Sequence, residues 1–148
     1  MISLQVIFAI IVCHWLADFV FQTDKMAKGK SEKWEDLLNH TFVYSIIIGF
    51  SSCFFLSPYK YGVLEPSLFM IITFVCHTIT DYFTSRFNSK LYAKVEKYRA
   101  LEAANLTYPS DYYKKKEGLA IHNFFVAIGA DQLLHYAQLF LTYYFLIQ

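Results

Sequence analysis

No HExxH, no GxSxG and no phosphate-binding glycine loop occurs in the 148 residues, so the common zinc-hydrolase, serine-hydrolase and nucleotide-binding signatures are excluded. The three cysteines, Cys13, Cys53 and Cys76, are an odd number without motif spacing, and each falls in an apolar run. They read as reduced, buried thiols rather than a disulfide framework. A net charge of +1 gives no electrostatic case for a nucleic-acid partner. The first residues carry no basic segment and no small-residue cleavage pattern, and Asp18 interrupts their apolar run. The expectation is a mature membrane helix, not a signal peptide.

What the chain does have is oil: 56% hydrophobic and 20% aromatic residues, with a mean hydropathy of +0.33. A bilayer-crossing helix needs roughly 20 mostly apolar residues, and four stretches qualify: about 3–21, 37–57, 67–84 and 120–146. The expected fold is all-α, a four-transmembrane-helix bundle forming a single integral membrane domain over 1–148. The link SPYKYGVLEP, bracketed by Pro58 and Pro66, suits a turn between antiparallel spans. Of the 13 basic residues, 12 fall in the stretches 22–36 and 85–118, and only Lys60 lies in the link between spans two and three. The positive-inside rule then makes both stretches cytoplasmic loops and puts both termini outside, in the inner membrane of a bacterium. Within the second loop, 88–106 sets Leu91, Val95, Tyr98 and Leu101 at helical spacing among lysines. This predicts a basic amphipathic helix, either lying on the anionic lipids of the inner leaflet or capping the bundle, with YPSD (108–111) ending it. The bilayer and its anionic inner-leaflet lipids are thus the expected partners, with no nucleic acid; the oligomeric state stays open, a homo-oligomer included.

Three His/Asp pairs stand in these apolar runs: HWLAD (14–18), HTITD (77–81) and DQLLH (131–135). Residues four apart share a helix face, so His14 projects with Asp18, His77 with Asp81, and Asp131 with His135. An ionisable group in hydrocarbon costs several kcal/mol and needs a partner or a wet cavity. With the orientation above, all three pairs fall in the cytoplasmic half of the bundle. His40, in the first turn of span two, is a further candidate. His122 lies about half a turn out of phase with Asp131 at 100° per residue, and joins only if the helix bends, for instance at Gly129. Imidazole and carboxylate are ligands for zinc, manganese or iron, and six or more of them suit two ions. Some of the aspartates could instead fix the tautomer of a ligating His. HWLADFVFQTD and HTITDYFTSRF also echo each other, each followed by a basic loop and then His40 or His122, as in a parallel repeat.

HWLADFVFQTDKMAKGKS, NHTFVY, HTITDYFTSR and IGADQLLHY together resemble an uncharacterised family of small bacterial and phage membrane proteins, over nearly the whole chain. That resemblance implies a fold and no activity. The repeated His-x-x-x-Asp is also similar, more loosely, to predicted membrane-bound metal-dependent hydrolases, on His14, Asp18, His77 and Asp81 alone. The expected function is a membrane-embedded metal-dependent hydrolase acting on a phosphoester, lipid-linked by its position. A divalent transition-metal pair would activate water and clamp a phosphoryl oxygen. Asp18, Asp81 and Asp131 supply ligands and a general base, and Arg86 and Lys25 would hold phosphate at the mouth. The alternatives are a metal-ion or proton conduit, which would need polar groups continuing outward, haem ligation by paired histidines, and a non-enzymatic phage or host membrane module with a structural metal.

Overall fold

A computed structural model describes residues 2–56, 62–104 and 109–146, and every regular element among them is helical. Helix α1, Leu4–Trp15, continues into a π-helical turn, Leu16–Val20. A short α2, Asp24–Gly29, leads to α3, Trp34–Phe55. Then come α4, Leu64–Ala103, and α5, Ser110–Leu146. The local chemistry sets these starts. The Ser3 and Thr23 hydroxyls each accept the backbone N–H three residues on, capping α1 and α2. Gly62 takes the positive φ of 70° just ahead of α4, where a side chain would be strained. Pro66 stands in the first turn of α4, where its missing N–H costs nothing.

The all-α expectation holds, and the helix boundaries need correction. Span three (67–84) and the separate basic helix (88–106) are one element: α4 runs unbroken to Ala103. The reason is in the composition, since no Gly or Pro occurs between Ser67 and Ala103, and charge alone does not end a helix. The far side of the predicted loop is also helical, because α5 starts at Ser110 instead of 120. Its partner α4 packs along it, so the described residues 85–103 and 110–118 of the expected loop are helix. The YPSD break falls partly on Tyr108, outside the described residues, as does the first half of the link SPYKYGVLEP, with Pro58. The expected loop 22–36 holds α2 and the first turn of α3.

Three helices, α3, α4 and α5, are long and apolar enough to cross a membrane, while Leu4–Val20 is a shorter apolar helix. The packing is inverted relative to a water-soluble core. Phe8, Phe50, Phe54 and Phe145 point outward, whereas His14, His40, Thr41, Ser52, Thr73, His77, Asp81 and His135 are buried. An apolar cluster of Ile10, Ala17, Tyr44, Ile48, Leu56, Phe69, Leu139 and Tyr143 packs in the interior beside these polar groups. Close helix approach relies on small and hydroxyl residues. A Cβ on Gly49 would meet Met70 Cβ at 2.8 Å, and Thr78 Oγ1 donates to Thr41 Oγ1 across α3 and α4 at 2.9 Å.

Gly29 ends α2 against α3. A Cβ there would collide with the Asp36 carboxylate and stand 2.8 Å from Asp36 Cβ. Gly29→Ala is therefore expected to destabilise the protein by about 1–3 kcal/mol, as overpacking does, read as a lower thermal midpoint in detergent. Unchanged stability would mean that α2 does not dock there.

Candidate metal centre

The three His/Asp pairs converge, and His40 with them. The π turn makes Phe21 N donate to Leu16 O at 2.9 Å, and this i→i−5 step changes the helix phase around Asp18. His14 Nε2 and Asp18 Oδ2 are consequently 4.0 Å apart, and Asp18 turns its other oxygen to the neighbouring helices. Asp18 Oδ1 lies 3.2 Å from His40 Nε2 and 3.9 Å from His77 Nε2, and those two nitrogens are 3.2 Å apart. A tetrahedral ion with ligands at about 2.0–2.1 Å spaces them by about 3.3–3.4 Å. Asp18, His40 and His77 thus form a triad of suitable size, and three protein ligands with one open position is the pattern of catalytic zinc.

A second triad adjoins it: His77, Asp81 and His135. Asp81 Oδ1 is 3.2 Å from His135 Nε2, and Asp131 Oδ1 approaches the same nitrogen at 3.3 Å. Asp81 Oδ2 faces the first triad, 3.2 Å from His40 Nε2 and 3.7 Å from His77 Nε2. One imidazole nitrogen binds one ion, so His77 serves one triad at a time. The two oxygens of Asp81 can serve both, as a bridging carboxylate does in di-metal bundles. Asp18 Oδ1 and Asp131 Oδ1 are buried without a hydrogen bond, an arrangement that a cation would resolve.

The remaining partners hold these groups in place. With its amide oxygen toward His40 Nδ1 and Lys30 Nζ, Gln22 accepts from each at 3.2 Å. That puts the His40 proton on Nδ1 and leaves the Nε2 lone pair facing the triad. His14 has a supporting place, because both its ring nitrogens are engaged: Nδ1 with Tyr44 Oη and Nε2 with Gln132 Oε1, each at 2.7 Å. Gln132 Nε2 in turn donates to Asp18 Oδ2 at 3.0 Å and to Asp131 Oδ2 at 3.4 Å. The Tyr44 ring stacks on His77 with centroids 3.7 Å apart, which orients an imidazole whose Nδ1 makes no hydrogen bond.

Four sequence expectations meet a different geometry. His14 is in neither triad: its Nε2 is 4.0 Å from Asp18 Oδ2 and is bonded to Gln132 instead. His122 is exposed on α5 and is not in either triad: α5 runs unbroken through Gly129, so the half-turn phase difference persists. The echo between the two halves therefore ends at His122, which does not mirror His40. Arg86 is held elsewhere, its guanidinium 3.8 Å from the Tyr82 ring centroid and 5.7 Å from that of Trp34. Lys25 pairs with Asp36 at 3.6 Å and is mostly exposed.

The cation that does reach the centre is Lys30, whose side chain is only 16% exposed. Its Nζ donates to Asp81 Oδ2 at 2.9 Å and lies 3.5 Å from His40 Nε2. Burial alone would lower its pKa, but the charges of Asp81 and Asp18 outweigh burial and raise it above the ordinary lysine value, so Lys30 stays an ammonium. It was hidden in the sequence among the lysines of a basic stretch. The cue available was its distance from Gln22 and His40, short enough for a tight turn to fold it back.

A cleft of about 390 Å³ opens from this cluster. Asp18, Asp81 and Asp131 lie at one end, Lys28, Lys30, Ser85 and Asn88 along it, and Phe19, Phe124 and Ile128 on its apolar walls.

The chain belongs to the family described as "Protein of unknown function (DUF3307)", whose model matches residues 6–148. No curated protein and no solved structure matches it.

Proposed function

We propose that this member of the family is a membrane-embedded, metal-dependent hydrolase of phosphoesters, with its centre in the cytoplasmic half of a four-span bundle. The observation that carries the reading is the pair of adjoining His/Asp triads, with unpartnered buried carboxylate oxygens at the end of an open cleft. In this reading α1 with its π turn is the first span. At 1.5 Å per residue its 17 residues, Leu4–Val20, reach about 25 Å, near the lower limit for crossing. In this reading the termini lie outside and the α4–α5 pair extends into the cytoplasm, which the basic stretches support through the positive-inside rule. The 40 residues of α4 extend about 60 Å, twice the hydrocarbon thickness of about 30 Å. The α4–α5 pair therefore stands out from the membrane instead of lying on it.

The residues of the two triads, Asp18, His40, His77, Asp81 and His135, would hold the metal, which when bound would supply a water of lowered pKa and polarise a phosphoryl oxygen. Asp131, whose Oδ2 accepts from Gln132 at 3.4 Å and whose Oδ1 lies 3.3 Å from His135 Nε2, would take the proton of the attacking water and return it to the leaving oxygen as the ester P–O bond breaks. Zinc, manganese and iron all match the nitrogen and oxygen donors. The buried position of the triads, the apolar walls of the cleft and the outward-facing phenylalanines support a lipid-linked ester.

The test is elemental analysis of the purified full chain together with phosphate release from phosphatidic acid in mixed micelles. One to two transition-metal ions per chain are expected, with turnover lost on chelation and restored by the metal. A chain that carries no metal and releases no phosphate after metal addition overturns the reading.

Hydroxyl and amide groups do continue toward the start of α4. Gln138 Nε2 donates to Thr142 Oγ1 at 3.1 Å and contacts Thr73 Oγ1 at 3.4 Å. A conduit would use such a column, but beyond Gln138 the interior closes on the apolar residues Leu56, Phe69 and Tyr143, which favours hydrolysis over transport.

A further inference from the structure

We propose that the cleft binds a phosphoryl oxyanion and that Lys30 is its anchor, held in reserve on the carboxylates until a metal ion replaces it. The proposal rests on the metal-dependent reading above and adds an order of events: metal first, anion second.

Charge is the first argument. Asp18, Asp81 and Asp131 bring three negative charges to a buried site, and Lys30 returns one. One divalent ion then makes the cluster neutral. A second leaves it two charges positive, and a phosphoester dianion in the cleft removes that excess. Unbalanced charge in so apolar a setting is costly, so full metal loading and anion binding favour each other.

Geometry is the second argument. Lys30 Nζ competes directly with an ion, being 2.9 Å from Asp81 Oδ2 and 3.5 Å from His40 Nε2, the two atoms that turn toward the first triad. An ion there repels the ammonium. The residue can leave because it sits just past the end of α2, a helix of only six residues, tied to α4 by a long Ser85 Oγ to Lys30 O contact of 3.4 Å. The cleft that receives it offers Lys28, Ser31, Ser85, Asn88 and Ser89. Ammonium, hydroxyl and amide donors beside a metal are a set for phosphoryl oxygens, which Lys binds as a point charge.

The experiment uses Mn2+ as the metal and inorganic phosphate as the anion, on the full chain in detergent. Electron paramagnetic resonance reads Mn2+ binding, and the 31P relaxation of phosphate reads its approach to the bound ion. Wild type is expected to bind phosphate at least tenfold more tightly with Mn2+ than without. Lys30→Met should keep or improve Mn2+ affinity and weaken phosphate binding at least tenfold, with Lys30→Arg recovering part of it. A wild-type phosphate affinity in Lys30→Met overturns the proposal while leaving the metal centre intact. Absence of Mn2+ binding in wild type overturns the underlying reading instead.

Trypsin gives a readout on the wild-type chain, independent of any variant's folding. Cleavage after Lys30 should be slow without metal relative to Lys25 and Lys33, several-fold faster with Mn2+, and slow again with Mn2+ and phosphate. Cleavage after Lys30 that ignores Mn2+ overturns the exchange. Repeating the 31P measurement with phosphatidic acid in bicelles separates the sources. Tighter binding of phosphatidic acid supports the anchor role with a lipid headgroup as ligand, and equal binding supports it with free phosphate.

Discussion

Asp81→Asn is expected to lower metal affinity by more than about 100-fold, since losing even an outer partner of a ligand typically costs 10- to 100-fold. Asp81 faces both triads and the buried lysine: Lys30 at 2.9 Å, His40 and His135 at 3.2 Å, and His77 at 3.7 Å. The asparagine would have nearly the same shape, but its amide nitrogen cannot bind a cation and would confront the ammonium of Lys30. The metal-free fold should suffer as well. Removing one partner of a buried ion pair costs about 3–5 kcal/mol, because the other charge is left without compensation. The two effects separate in the double variant. Adding Lys30→Met to Asp81→Asn removes the stranded charge, so the thermal midpoint in detergent should recover while the metal content does not. Full metal content in Asp81→Asn would exclude the bridging role, and a double variant less stable than the single would exclude the ion pair as the source of the loss.

The sequence carried the part of the centre that depends on spacing within a helix. His77 with Asp81, and Asp131 with His135, are four apart on regular α-helix, and periodicity places them correctly. His40 was legible from its position near the start of its helix. The HWLAD stretch was legible only as a location: its π turn, which no residue type announces, gives Asp18 to the metal triad and His14 to Gln132 and Tyr44. What depends on tertiary return of the chain was not legible. Lys30 reads as one more positive-inside lysine until α2 folds it onto Asp81, and Gln132 reads as filler until its amide is seen to join Asp18 and Asp131. The continuity of α4 was available in principle. The run from Ser67 to Ala103 has no breaker, and a change from apolar to basic composition does not by itself end a helix.

That division of labour leads to a contrast between two histidines that look alike in sequence. His77→Ala and His14→Ala should both weaken metal binding, but only one should do so irrecoverably. His77 Nε2 lies within 3.9 Å of Asp18 Oδ1, of His40 Nε2 and of Asp81 Oδ2, so its loss removes a ligand from either triad. In His77→Ala the stoichiometry should stay at least one ion below wild type even at saturating Mn2+. His14 instead transmits position, with Tyr44 on one nitrogen and Gln132 on the other. In His14→Ala those two groups lose a buried partner, at about 1–3 kcal/mol each, and the Gln132 amide no longer fixes Asp18. The expected result is a lower thermal midpoint and a 10- to 100-fold weaker Mn2+ affinity, with full stoichiometry regained at saturation. Tyr44→Phe should resemble a mild His14→Ala, because it keeps the stack on His77 and loses only the hydroxyl. Electron paramagnetic resonance titration of the three variants side by side reads these outcomes directly. If His14→Ala fails to saturate while His77→Ala does, the assignment of ligand and support is reversed.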